Sequence, residues 1–103
     1  MLTGKTALVT GSTSGIGLGM AKALAAQGAH IILNGFGDHA GPQAEVQAAA
    51  QAAGFTIRTG YHGADLSKVA DIEAMMAFAE AEFGGVDVLV NNAGIQQDRK
   101  SVV

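Results

Sequence analysis

The sequence predicts an α/β fold, the first half of a doubly wound parallel sheet with strand order 3-2-1-4, truncated after the fourth strand. Three observations carry this. Four short apolar runs, centred on ALV, HIIL, FTIR and VDVLV, are separated by three segments with helical character. A glycine-rich turn, TGSTSGIG at 10–17, follows the first run and opens a helix. No linker, repeat or low-complexity tract divides the 103 residues, a length that suits one domain with a modest core. Helices between short buried strands imply parallel pairing through right-handed crossovers. That arrangement places ligands at the carboxyl ends of the strands.

Each element has a local reason. Lys5 to Thr10 reads as a buried strand around Ala7, Leu8 and Val9. Gly15 to Gln27 reads as a helix whose apolar face is Ile16, Met20, Ala23 and Leu24, and Gly28 stops it. HIILNGF (30–36) is the second strand. Pro42 suits the first turn of an alanine-rich second helix that ends near Ala53 and Gly54. FTIRTGYHG (55–63) is the third strand, interrupted by Gly60. Ser67 is placed to cap a helix from Lys68 to Phe83, with Ile72, Met75, Met76, Ala79 and Phe83 on one face. VDVLV (86–90) is the fourth strand, and its nearly continuous apolar run suits a strand covered on both faces. Left as an edge it is expected to draw in other chains, and Val88→Lys is expected to improve solubility.

Composition narrows the function classes. Apolar residues make up 49% and charged residues 15%, which is globular rather than disordered composition. A net charge of −3 offers no basic field for nucleic acid or anionic lipid. Without cysteine there is no disulfide framework or thiolate metal site. His30, His39 and His62 lack metal-ligand spacing. No apolar stretch approaches the roughly 18 residues of a membrane span, and the start lacks a signal-peptide pattern. The expectation is a soluble cytoplasmic protein.

The glycines at 11, 15 and 17 have separate uses. Gly11 can take a positive φ. Gly15 leaves no Cβ where a diphosphate must approach, and Gly17 lets the helix lie close to the sheet. Free N–H groups of the first helical turn, with the helix dipole, favour an anion. Ser12, Thr13 and Ser14 add neutral hydroxyl donors. A tight turn without a ligand is the alternative. The spacing G-x-x-x-G-x-G also differs from G-x-G-x-x-G, and the lysine of a P-loop is absent.

TGSTSGIG after the first strand, ADL (64–66) after the third and NNAG (91–94) after the fourth together resemble the short-chain dehydrogenase/reductase family, over Met1 to about Gln96. LNGFGD (33–38) and NNAGIQ (91–96) are similar to its bacterial D-3-hydroxybutyrate dehydrogenase branch. The resemblance implies a partial NAD-binding Rossmann domain. For the intact parent it implies a homotetramer that interconverts the small molecules 3-hydroxybutyrate and acetoacetate with NAD. It also implies that Gly11, Ser12, Thr13, Ser14, Gly15, Ile16 and Gly17 hold the dinucleotide, with Phe36 beside the adenosine and Asp65 and Leu66 at the adenine ring. Asn92, Ala93 and Gly94 would lie along the cofactor, and Gln96 would help hold the substrate carboxylate. Asp65 is otherwise a helix-entry residue, and Gln96 otherwise a plain loop residue.

NAD is favoured over NADP because a 2′-phosphate needs cationic partners. Ser14 precedes Gly15, and no Lys or Arg occurs between Lys22 and Arg58. One departure stands out. Many NAD enzymes of the family carry an acid at the end of the second strand, where this chain has Gly35. Asp38 either reaches the ribose hydroxyls or is a solvated loop acid.

The family's chemistry uses a serine and a Tyr-x-x-x-Lys pair. The sole tyrosine, Tyr61, sits in the third strand and is followed four residues later by Asp65, so it reads as structural. The chain is therefore read as the N-terminal cofactor-binding part of an oxidoreductase, with no catalytic residue of its own. DRKSVV (98–103) departs from the family and is what a common sequencing-adapter stretch would encode. It is expected to be a non-native tail, with a natural short protein as the alternative. Two other functions stay open: part of another short-chain reductase, such as a 3-oxoacyl carrier-protein reductase, or a non-catalytic dinucleotide-binding module.

Overall fold

Strands and helices alternate along residues 1–92, the part of the chain that this computed structural model describes. They are β1 (Thr6–Val9), α1 (Gly15–Ala25), β2 (His30–Leu33), α2 (Ala40–Ala52), β3 (Thr59–Tyr61), α3 (Val69–Phe83) and β4 (Val88–Val90). All pairings are parallel, in the order β3-β2-β1-β4. This is the predicted topology. Register places Leu8 of β1 beside Ile32 of β2 and Leu89 of β4.

The alternation of side chains along a strand divides the core in two. Ala7, Val9, Ile31 and Leu33 pack with Ala21 and Ala25 of α1 and Val46 and Ala50 of α2. Leu8 and Ile32 pack on the opposite face with Met75 and Ala79 of α3. Asp87, the one charge in VDVLV, works at the start of the β1–β4 ladder. Its carboxylate accepts the Thr6 N–H at 2.9 Å, and its own N–H donates to the Thr6 carbonyl at 2.8 Å.

Two helix faces differ from expectation. In α1 the buried row is Gly17, Ala21 and Ala25, whereas Ile16 and Ala23 are exposed and Met20 and Leu24 are only half-buried. Close approach of helix to sheet selects the smallest side chains for the contact row, and the larger ones pack around its margin. In α3, Met75 and Ala79 are buried while Ile72 and Met76 lie at the exposed margin. The strands are also shorter than read, because β2 ends before Asn34 and β3 keeps only three residues.

Ile72 and Met76 line an apolar groove with Leu8, Leu66, Met75 and Leu89. Leu89 is 60% exposed, and among the described residues β4 pairs with β1 alone. An apolar edge of this kind recruits other chains. The purified chain is therefore expected to self-associate, and Leu89→Lys to shift it toward monomer in light scattering. Val88 is the poorer choice for the lysine, because it is half-buried against the core cluster behind the sheet. A sharp monomer peak for the unmodified chain would contradict this.

Candidate functional site

The carboxyl ends of the four strands bring four segments to one edge of the sheet, after Val9, Leu33, Tyr61 and Val90. The first is the glycine-rich turn. Gly11 and Gly15 have φ of +61° and +59°, in the left-handed region that suits glycine. Gly17 is helical, and its place is set by contact. A Cβ there would lie 2.1 Å from the Gly11 carbonyl oxygen and 2.6 Å from Nδ2 of Asn92. Asn92 is buried, and its Nδ2 donates to the same Gly11 oxygen at 3.1 Å. The helix start is thus pressed onto the turn and onto the end of β4.

Ser14 is extended, with φ −160° and ψ 169°, and makes no side-chain capping bond. The first-turn N–H groups of Gly15, Ile16 and Gly17 have no intrahelical acceptor, and no side chain of Ser14 takes their place. Among the three expected hydroxyl donors the structure makes a distinction. Ser12 is fully buried; its Oγ donates to the Asn34 carbonyl and accepts the Asn34 N–H. Thr13 donates to the Phe36 carbonyl at 3.1 Å. Ser14 alone of the three is exposed. The anion-binding potential of the turn therefore resides mainly in its backbone.

Asn34 is the residue that the sequence reading passed over. It is buried, and its Oδ1 accepts the Gly11 N–H at 3.3 Å. Its Nδ2 donates to the carbonyls of His62 at 3.0 Å and Ala64 at 3.2 Å. One amide therefore joins the segments that follow β1, β2 and β3. The sequence signals were its place in LNGFGD and its polarity after an otherwise apolar run.

Beyond Asn34 the chain turns through Gly35 and Phe36. A Cβ on Gly35 would sit 2.5 Å from Oγ1 and 3.0 Å from Cγ2 of Thr13, so an acidic side chain at this position requires the Thr13 side chain to shift. Asp38 turns toward α2, where its Oδ1 accepts the Ala40 N–H at 3.2 Å. Phe36 is 73% exposed and Ile16 is 65% exposed, on the two segments joined by the Thr13–Phe36 bond.

Asp65 takes both an N–H (3.0 Å) and a hydroxyl (2.6 Å) bond from Ser67 on Oδ1. These bonds hold its carboxyl below the usual carboxylate range, so it is an anion at neutral pH. Ser67 is thereby committed to Asp65 rather than to capping α3, whose N-cap is Lys68. Leu66 is half-buried and packs toward α3. Ala93, Gly94 and Gln96 lie outside the described residues. Among the described residues no three His, Asp or Glu side chains could hold a metal ion, and no helix is long and apolar enough to cross a membrane.

The short chain dehydrogenase family profile matches residues 5–102. The chain belongs to the short-chain dehydrogenase family. It is 69% identical over 96 residues to D-beta-hydroxybutyrate dehydrogenase of Cupriavidus necator, an alignment that covers 93% of this chain and 36% of that enzyme. Among solved structures it is similar to an NADH-dependent reductase complexed with NAD, at TM-score 0.71 and 38% identity over 85% of this chain and 35% of that one. It is also similar to a metagenomic short-chain oxidoreductase in complex with NADP, at TM-score 0.67 and 33% identity over 85% of this chain and 38% of that one. The chain thus spans a little over a third of the Cupriavidus enzyme. As a short-chain dehydrogenase chain it has the family's Rossmann-type sheet order at the site edge.

Proposed function

We propose that this chain is the dinucleotide-binding part of an NAD-dependent oxidoreductase whose complete form interconverts 3-hydroxybutyrate and acetoacetate. The observation that carries the binding reading is the start of α1, where Gly17 is seated on Gly11 and the first-turn N–H groups have no side-chain cap. An anionic diphosphate matches those donors and the positive end of the helix dipole. The exposed side chains of Ile16 and Phe36 offer apolar cover beside it. The Asp65 carboxylate, with Oδ1 engaged by Ser67, offers Oδ2 to an adenine amine. A bound nicotinamide dinucleotide would supply the hydride-accepting group; the residues of this chain bind and orient it.

The identity to D-beta-hydroxybutyrate dehydrogenase supports the substrate class. On the same reading Asn92, Ala93 and Gly94 run along the cofactor and Gln96 meets the substrate carboxylate, in a cytoplasmic homotetrameric parent. The preference for NAD is supported by where the cations go. Lys22 pairs with Glu45 at 3.4 Å, and the Arg58 guanidinium lies 4.5 Å from the Phe83 ring centre. Neither supplies charge to the turn after β2. A binding module without catalysis is the second reading for the chain by itself, favoured by Tyr61, whose hydroxyl donates to the Gly35 carbonyl.

Calorimetry and an absorbance assay on the 103-residue chain test both readings. NAD is expected to bind, with NADP about tenfold weaker for want of a cation at the 2′-phosphate. No NADH is expected from 3-hydroxybutyrate, since loss of a positioned acid/base alone removes about 10²- to 10⁴-fold in rate. Failure to bind either dinucleotide would sink the binding reading. Equal affinities would remove the NAD preference, and ordinary turnover would overturn the module reading.

A further inference from the structure

We propose that Tyr61 is a positioning residue for the adenosine end of the cofactor, latching the turn after β2 in place; this rests on the dinucleotide-binding reading above. The turn from Gly35 to Asp38 contains two glycines with positive φ, Gly35 at +154° and Gly37 at +84°. Such a segment has much freedom to lose on ordering. Two side chains from other parts of the fold tie it down. Thr13 donates to the Phe36 carbonyl, and Tyr61 donates to the Gly35 carbonyl. Thr13 belongs to the phosphate turn itself, so Tyr61 is the tie that comes from outside it.

The Tyr61 ring is itself held. His39 stacks on it with ring centres 4.0 Å apart and planes 6° apart. The His39 ring is oriented by a relay with consistent donor direction. Gln47 Nε2 donates to Thr59 Oγ1 at 3.1 Å, and Thr59 Oγ1 donates to Gln43 Oε1 at 3.2 Å. Gln43 Nε2 then lies 2.9 Å from Nδ1 of His39. With its carbonyl oxygen engaged by Thr59, the Gln43 amide presents N–H to that nitrogen, which must accept. The relay spans α2 and β3, so the register of those elements is transmitted through the stack to the Gly35 carbonyl. The consequence is local. The phosphate turn keeps its own contacts with Asn34 and Asn92, whereas the Gly35 carbonyl is held by the latch, and without it Phe36 is left with the Thr13 bond.

The test uses Tyr61→Phe, which keeps the ring and its stack and removes only the hydroxyl. Backbone ¹⁵N relaxation of the ligand-free 103-residue chain is expected to show Phe36, Gly37 and Asp38 falling from rigid values to order parameters below about 0.6, with Leu8 and Ile32 unchanged. Titrations with NAD and AMP are expected to weaken about five- to tenfold, the effect of losing one hydrogen bond. Inorganic pyrophosphate, which needs only the phosphate turn, is expected to stay within about twofold. Unchanged loop order, unchanged AMP affinity, or an equal loss for pyrophosphate would each overturn the latch. If wild type binds neither NAD nor AMP, the binding reading fails and the positioning role falls with it. That outcome appears in the wild type alone and is distinct from a wild type that binds and a variant that binds equally well.

Discussion

Gly17→Ala is expected to abolish the cooperative thermal melt of this chain, while Gly19→Ala two residues later leaves it intact or raises it. Both residues lie in α1, where alanine is the better helix former by about 1 kcal/mol. Propensity alone therefore favours both changes. Contact separates them. The added methyl at position 17 would stand 2.1 Å from the Gly11 oxygen and 2.8 Å from the Gly11 carbonyl carbon. These are backbone atoms and cannot rotate away. Relief requires α1 to move off the turn, which also breaks the Asn92–Gly11 bond and leaves a buried amide without its partner. Overpacking costs about 1–3 kcal/mol. An orphaned buried polar group adds about 1–3 kcal/mol. Together they rival the stability of a small domain, about 5 kcal/mol at the low end. At Gly19 nothing lies within 4 Å of the would-be methyl. Circular-dichroism melts of the two variants side by side decide the matter, and equal midpoints would mean that α1 is not pressed onto the turn as described.

The topology was legible because it depends on short-range patterns. Apolar runs of strand length alternate with segments of helical period, and parallel crossovers follow from that order. Gly11 and Gly17 were legible for a related reason: glycine costs stability in a helix, so its recurrence at one strand end points to conformation or contact, whereas the positive φ of Gly15 was not read. The buried face of α1 was not legible. Reading hydrophobicity selects Ile16, Met20 and Leu24, but the contact row is Gly17, Ala21 and Ala25. Size decided that choice, and size matters only once the distance to the sheet is known. Tyr61 read as structural, and its hydroxyl does bond to backbone, but its partner Gly35 lies 26 residues away. Asn34 was the hardest case. Its partners at 62 and 64 come from a segment that follows a different strand, so nothing local distinguishes it from a turn residue.

That dependence on distant carbonyls makes Asn34→Asp a severe change despite being isosteric. The carboxyl has the shape of the amide, and one oxygen can still accept the Gly11 N–H. The other replaces Nδ2 and faces the carbonyl oxygens of His62 and Ala64, with no donor for either. In the ionised form the substitution places a charge in a buried position against two negative dipole ends, a loss of about 3–5 kcal/mol by analogy with a broken buried pair. Protonation relieves part of this, because the neutral acid can donate to one carbonyl. The introduced carboxyl should therefore have a folded-state pKa above its unfolded value of about 3.9. A raised folded pKa means that the native state binds more protons than the unfolded state. Stability of the variant should then be greatest below the unfolded pKa, fall as pH rises toward the folded pKa, and stay low above it. Urea denaturation of wild type and Asn34→Asp at a series of pH values reads this directly as a destabilisation that widens from acid to neutral pH. Asn34→Ala, which also loses the bonds but carries no charge, should lose about 2–4 kcal/mol with no added pH dependence. A gap between wild type and Asn34→Asp that stayed constant with pH would show that the side chain at this position reaches solvent and does not bracket the three segments.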